Sequence, residues 1–241
     1  REAIARILTA KNTPFLNRAI GGLYAPGSII KPFLALAALE EKIISPDTKI
    51  LSTGALTLPN PYNPESPSIF KDWKAHGYVN MREALAVSSD VYFYTIGGGF
   101  KTQRGLGIKL IDEYLTRFGF STLTGVDLLS EENGTIPTPL WKERTFDGEK
   151  WNIGDTYHTA IGQYGMQVTP LQTARAVAAI ANGGRLVEPH LRMRGTELSQ
   201  TGTPLNFSDS ALQIVREGMR MAVTTGTGKG LLIPGLDIAA K

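Results

Sequence analysis

The residues best placed to do chemistry are Ser28 and Lys31, in the stretch Pro26-Gly27-Ser28-Ile29-Ile30-Lys31-Pro32-Phe33. In a helix, positions i and i+3 share a face, so the Ser28 hydroxyl and the Lys31 amine can meet without help from the rest of the fold. A serine hydroxyl at its ordinary pKa is a weak nucleophile and needs a neighbouring base. A lysine stripped of water at a helix start has its pKa lowered in the direction that lets it serve. The apolar residues Ile29, Ile30, Phe33, Leu34, Leu36, Ala37 and Leu39 would sink this helix into a core and supply that desolvation. Pro32 removes the backbone donor four residues after Ser28, which predicts a loosened first turn. The spacing alone also fits a plain core helix in which Gly27 or Ser28 merely caps.

A second cluster of polar groups, Ser88-Ser89-Asp90, stands between two helical patterns. Read structurally, it is an N-cap for the aromatic helix that begins at Val91. Asp72 and His76 lie four apart, a spacing that can bring two metal ligands together, but a bound metal needs more and no third is close in sequence. Their plain reading is pairing with backbone or with each other. His158 and His190 are isolated and give no Ser/His/Asp arrangement. The glycine-rich Gly226-Thr227-Gly228-Lys229-Gly230 lacks the glycine six residues before the lysine and the Ser/Thr after it, so it is no phosphate loop.

Around these candidates the chain reads as globular. It has 241 residues, 42% hydrophobic and 20% charged, which fits one large domain or two small ones and excludes disorder. A net charge of +3 with basic residues scattered among acids gives no nucleic-acid stripe. With no cysteine there is no disulfide framework, thiolate nucleophile or thiolate metal site. No apolar run is long enough to span a membrane, and no signal peptide opens the chain. Arg1 enters directly into helical pattern and residues 236–241 stop within a strand-like stretch, so the chain is expected to be an internal piece of a longer one.

Periodicity and caps predict helices over 2–9, from Ser28 to about Lys42, from Asn80 through Ala86, over 91–96, 104–118, 171–181 after Pro170, and 208–223. Residues 43–79 are rich in turn formers and predict an irregular excursion with short strands. The charged segment between Trp141 and Trp151 is expected to be exposed, Leu186–Met193 to be extended and followed by a variable loop, and the last residues to form a strand.

Three elements in order, Ser28-x-x-Lys31, Ser88-Ser89-Asp90 and a terminal Lys241 after Ile238-Ala239-Ala240, resemble the motif order of serine penicillin-binding proteins and their β-lactamase relatives. Asn17-Arg18-Ala19, Asp72-Trp73-Lys74, His76-Gly77, Val91-Tyr92-Phe93-Tyr94 and Thr124-Gly125-Val126-Asp127-Leu128 are similar to the elongation-type class B branch. So are Gly154-Asp155-Thr156, Ile161-Gly162-Gln163 and Thr169-Pro170-Leu171-Gln172. The resemblance implies an α+β fold shared with serine β-lactamases. Residues 1–241 would be a partial transpeptidase domain, mostly its helical part, with the flanking sheet strands, the amino-terminal anchor and the non-catalytic region lying outside it. It implies a peptidoglycan D,D-transpeptidase acylated by β-lactams, with the isolated piece a weak catalyst.

Under that resemblance Ser28 is the nucleophile, Lys31 the base and Ser88 a proton relay. Asp90 holds both in place, Lys241 supports Ser88 and the substrate carboxylate, and Ser89 and Gln163 touch substrate. Asp at position 90, where Asn is common, fits the elongation-type branch. Some members hold a structural zinc through the Asp-Trp-Lys aspartate, the nearby histidine and a cysteine inside the second motif; here those positions are Asp72, His76 and Ser89. No cofactor is implied. The partners implied are stem peptides ending in D-alanyl-D-alanine, an acceptor amine, β-lactams, a glycan-chain polymerase and elongation-complex proteins, with no nucleic acid. The place implied is the outer face of the bacterial cytoplasmic membrane. A hydrolytic relative (D,D-carboxypeptidase or β-lactamase) and a β-lactam-binding scaffold without turnover are the other readings of the same residues.

Overall fold

The computed structural model describes residues 2–11, 13–60, 63–192 and 202–241. Two short helices, α1 (Glu2–Leu8) and α2 (Arg18–Gly21), lead to a 3-10 turn over Gly27–Ile30 and then to α3 (Lys31–Glu40). From Lys31 to Ala38 every residue of α3 is buried. A helix apolar on all sides belongs at the centre of a core, and α3 is that helix. Phe33 packs on Phe118 and Phe120 with ring centroids 4.7 and 5.2 Å away. The expected loosening near Pro32 takes a definite form. The Lys31 N–H bonds to the Ser28 carbonyl, the i+3 bond of a 3-10 turn, where Pro32 has no N–H to close the α-helical one.

The turn-rich excursion is a long hairpin in two registers. Its base pairs β1 (Ile50–Ser52) with β4 (Gly77–Val79), and its tip pairs β2 (Ala55–Leu58) with β3 (Ser68–Lys71), both antiparallel. Between the two, residues 53–54 on one arm face residues 72–76 on the other. Only the ends of that arc bond across, Asp72 N–H to Gly54 O at 2.9 Å and His76 N–H to Ser52 O at 3.0 Å. The longer arm bulges out of the ladder and carries the Asp72 side chain inward.

Then come α4 (Met81–Val87), α5 (Asp90–Gly98) and α6 (Gly107–Arg117). Asn80 and Glu83 form a capping box at the start of α4, and Ser89 caps α5 through Tyr92 N–H. The next helices are α7 (Pro139–Thr145), α8 (Ile153–Thr159) and α9 (Pro170–Ala181). A short ribbon pairs β5 (Arg185–Leu186) with β6 (Thr203–Pro204), and α10 (Asp209–Thr224) closes the core against α4 and α3. The architecture is α+β and mostly helical.

Three expectations change. The segment after Trp141 is not wholly exposed: α7 buries Lys142, whose Nζ donates to Asp155 Oδ2 at 2.8 Å. Residues 236–241 form no strand; they lie against α10 through Ala240 N–H to Met219 O (3.0 Å) and Arg220 to Ile238 O (2.7 Å). A strand exists only where a neighbour takes its ladder bonds, and no described residue offers one there. The expected extension over Leu186–Met193 is a strand only as far as Leu186, and Met193 with the loop after it lies outside the described residues.

The glycine-rich Gly226–Gly230 serves packing. A Cβ on Gly226 would stand 2.1 Å from Ala86 O, and Thr227 N–H donates to that same carbonyl at 3.0 Å. The end of α10 is thereby pressed onto the end of α4, directly before Ser88.

Candidate active site

Ser28 is placed by backbone. Tyr24 exchanges two hydrogen bonds with Val168, at 3.0 and 2.9 Å, and Gly27 N–H donates to Gly162 O at 3.0 Å. Gly27 and Gly162 both have positive φ, and a Cβ on Gly162 would lie 2.2 Å from Gly27 O. Only glycine allows the 160–165 turn to lie this close to the turn bearing Ser28. We expect Gly162→Ala to cost on the order of 2–4 kcal/mol, from left-handed strain plus overpacking. Thermal unfolding measures this directly, and an unchanged midpoint would mean the close approach does not exist in solution.

Ser88 is the C-cap of α4, in the left-handed region at φ 60°, ψ 41°. A non-glycine residue held there stores on the order of 1–3 kcal/mol, and such strain gathers where geometry is functional. The kink aims Ser88 Oγ at Ser28 Oγ, 3.0 Å away. Buried Lys31 then ties the group together, its Nζ donating to Ser88 Oγ (3.1 Å), Ser88 O (2.9 Å) and Asp90 Oδ1 (2.5 Å). The hydrogen-bonded path from Lys31 to Ser28 thus runs through Ser88. Burial holds the Lys31 amine below its ordinary pKa, with the Asp90 charge opposing the shift.

Lys241 comes to the same place from the other end of the chain. Burial, and then repulsion from Lys31, push its pKa down to about 7, while Asp90 acts against the shift. Gln163 is exposed, and its Nε2 lies 3.7 Å from where a Gly27 side chain would start, at the rim beside Ser28. The structure therefore brings together Ser28, Lys31, Ser88, Asp90 and Lys241, with Gln163 at the edge.

Ser89 does not join them. It is fully buried and faces the opposite way, its hydroxyl donating to Asp72 Oδ2 at 2.8 Å and accepting from Tyr92 N–H at 3.3 Å. A side chain so enclosed cannot touch substrate, which corrects the expectation for this residue. Its partner Asp72 also accepts from Ser52 Oγ (3.1 Å) and Val91 N–H (3.1 Å) on Oδ2, and from Trp73 N–H (2.8 Å) on Oδ1. Burial would raise the Asp72 pKa, but hydrogen bonds from the Val91 backbone, the Ser89 hydroxyl and the Asp90 and Trp73 backbone together outweigh it and hold the carboxyl below its ordinary value.

The zinc site of some relatives does not fit this donor set. Three donors already occupy Asp72 Oδ2, and the third ligand position offers a neutral hydroxyl that is itself bonded to Asp72. His76 Nε2, buried and without a hydrogen-bond partner, faces Asp72 Oδ1 at 3.5 Å. The described residues contain no group of three His, Cys, Asp or Glu able to hold a metal. One carboxylate oxygen and one imidazole leave a four-coordinate ion half bound.

Sequence reasoning overlooked the central part of Asp72 and the buried Lys142–Asp155 pair. Both depend on contacts across the fold; the one local sign was Asn152 with Asp155, which the structure shows as a capping box on α8.

A serine hydroxyl in line with a second serine and a buried lysine, in an α+β setting, is an arrangement able to activate a serine nucleophile, in the order Ser-x-x-Lys then Ser. The chain belongs to the penicillin-binding protein transpeptidase domain family, whose profile matches residues 5–241. It is 38% identical to the peptidoglycan D,D-transpeptidase MrdA of Acinetobacter baumannii over 239 residues, covering 95% of this chain and 34% of that protein. Among solved structures it is similar to penicillin-binding protein 2 of Helicobacter pylori in complex with MreC, with a TM-score of 0.83 and 30% identity. That match covers 99% of this chain and 42% of the other. Penicillin-binding protein 2 of Pseudomonas aeruginosa in complex with WCK 5153 aligns with a TM-score of 0.82 and 30% identity, over 95% and 52% of the two chains. The chain spans about a third of the length of the curated relative it matches.

Proposed function

We propose that this chain carries the acylation centre of an elongation-type peptidoglycan D,D-transpeptidase. The observation that supports it most directly is the continuous set of hydrogen bonds from Ser28 Oγ through Ser88 Oγ to Lys31 Nζ and on to Asp90. Ser28 Oγ attacks the carbonyl carbon of the penultimate D-alanine of a donor stem peptide. The hydroxyl proton passes by way of Ser88 to neutral Lys31, so the Oγ–C bond forms without leaving a free alkoxide. The Ser28 N–H stands at a helix start, where donors lack intrahelical partners, and can support the developing oxyanion.

The tetrahedral carbon then collapses, the C–N bond breaks, and the proton returns through Ser88 to the departing D-alanine amine. The terminal carboxylate of the donor draws Lys241 into its protonated form and pairs with it, and Gln163 lines the rim where the peptide enters. An acceptor amine attacks the Ser28 ester, forms the cross-linking amide and restores the serine.

No helix among the described residues is long and apolar enough to cross a membrane. The proposed setting is the outer face of the cytoplasmic membrane, with the longer protein anchored there and working beside a glycan-chain polymerase and elongation-complex proteins. The test is to give the intact protein a stem pentapeptide ending in D-Ala-D-Ala together with an acceptor stem peptide. Mass spectrometry should find the cross-linked dimer with release of D-alanine. Tetrapeptide alone would make the enzyme a carboxypeptidase, and no turnover of any kind would leave only the scaffold reading.

A further inference from the structure

The Ser88 turn is strained, and something must hold it. It is gripped from behind by the bulged arc 72–76 of the hairpin at two points. Asp72 accepts from Ser89 Oγ and Val91 N–H, the neighbours on either side of Asp90, and Trp73 Nε1–H donates to Val87 O at 3.1 Å, just before Ser88. Ser52, buried in β1, ties the same carboxylate to the base of the hairpin. A carboxylate at the start of α5 satisfies a free backbone donor there and is favoured by the helix dipole.

Resting on the reading above, we propose that Asp72 is a positioning residue that works here through hydrogen bonds alone. In this chain the Ser52–Asp72–Ser89 knot, with no metal ion, fixes the turn that presents Ser88 to Ser28 and Asp90 to Lys31. Asp72 touches neither substrate nor nucleophile, so its effect reaches the chemistry only through the placement of residues 88–90. A misplacement of about 1 Å at a reacting group is enough to cost on the order of 100-fold in rate.

The experiment uses the intact protein, with Asp72→Asn, Ser89→Ala and Ser52→Ala as variants. Three quantities are read: metal content with and without chelator, hydrogen exchange at the Val91 and Tyr92 amides, and β-lactam acylation resolved into non-covalent affinity and covalent rate. We expect no stoichiometric zinc, and the same melting temperature and acylation after chelation. Asp72→Asn should lower the covalent rate about 10- to 100-fold with affinity little changed, and should speed exchange at residues 91 and 92. The two serine variants should move both readouts the same way by smaller factors, and they decide the matter if Asp72→Asn fails to fold. Stoichiometric zinc whose removal lowers the melting temperature would overturn the proposal. So would variants that fold and keep wild-type exchange and covalent rate. If the wild-type protein is not acylated at all, the transpeptidase reading fails, while the metal and exchange results still judge the knot.

Discussion

Incubated with a β-lactam, the wild-type protein should gain the mass of one inhibitor, and Ser28→Ala should gain nothing. The loss should be at least about 10⁴-fold in acylation rate, because removing a nucleophile that acts as one unit with its base abolishes nearly all the catalysis of that unit. Ser28 is half-buried in a 3-10 turn whose geometry is set by Gly27, Gly162 and Pro32, and its side chain fills no core position. The variant should therefore melt with the wild type, and intact-mass spectrometry then reads chemistry alone. An adduct of unchanged mass and rate on Ser28→Ala would place the nucleophile elsewhere and sink the reading.

The second large effect concerns Lys31. Lys31→Met should slow acylation about 10³-fold, within the range expected for removing a general base. Stability should respond far less. The ammonium is desolvated in the wild type, so its removal recovers that cost, whereas an acid left unpaired in a dry interior would be strongly destabilising. Asp90, which loses its partner, keeps some access to solvent and can stay hydrated. A large rate loss with a small change in melting temperature separates a base from a strut.

The pH dependence gives a second check. The competent form of Lys31 is neutral, and burial lowers its pKa below 10.5, so acylation should rise with pH through a midpoint on the acid side of that value. In Lys31→Met this limb should vanish. A wild-type profile that rises only above pH 10.5 would mean that another group takes the proton.

Local chemistry made much of this site readable from sequence. Ser28 and Lys31 needed only the i, i+3 relation, and Pro32 foretold the loosened turn. Asn80, Ser89 and Pro170 marked helix starts by rules that act within a few residues. Asp72 was legible as an acid that pairs with backbone or with His76, but not as the group that holds residues 88–90, because those partners, Ser52, Ser89 and Val91, sit far along the chain. Lys142 misled for the same reason: a charged run looks solvated until a distant carboxylate such as Asp155 is brought to it. Ser89 was misassigned because adjacent residues at a helix start point in different directions, and only the left-handed kink at Ser88 decides which of the two faces the nucleophile. The strand expected over residues 236–241 failed on pairing, which is never a property of one segment.

The buried stretch of α3 from Lys31 to Ala38 also sets where this protein is free to vary. Inside it every apolar side chain from Phe33 to Ala38 is a structural commitment, and a change of a single methylene is felt in the core. A lineage under selection to escape an inhibitor has little room there. Its freedom lies on the outer lip of the nucleophile's turn, at exposed Tyr24, Ile29 and Gln163, where side chains can be exchanged without unpacking the fold. Shifts in inhibitor sensitivity should therefore collect along that lip rather than within α3.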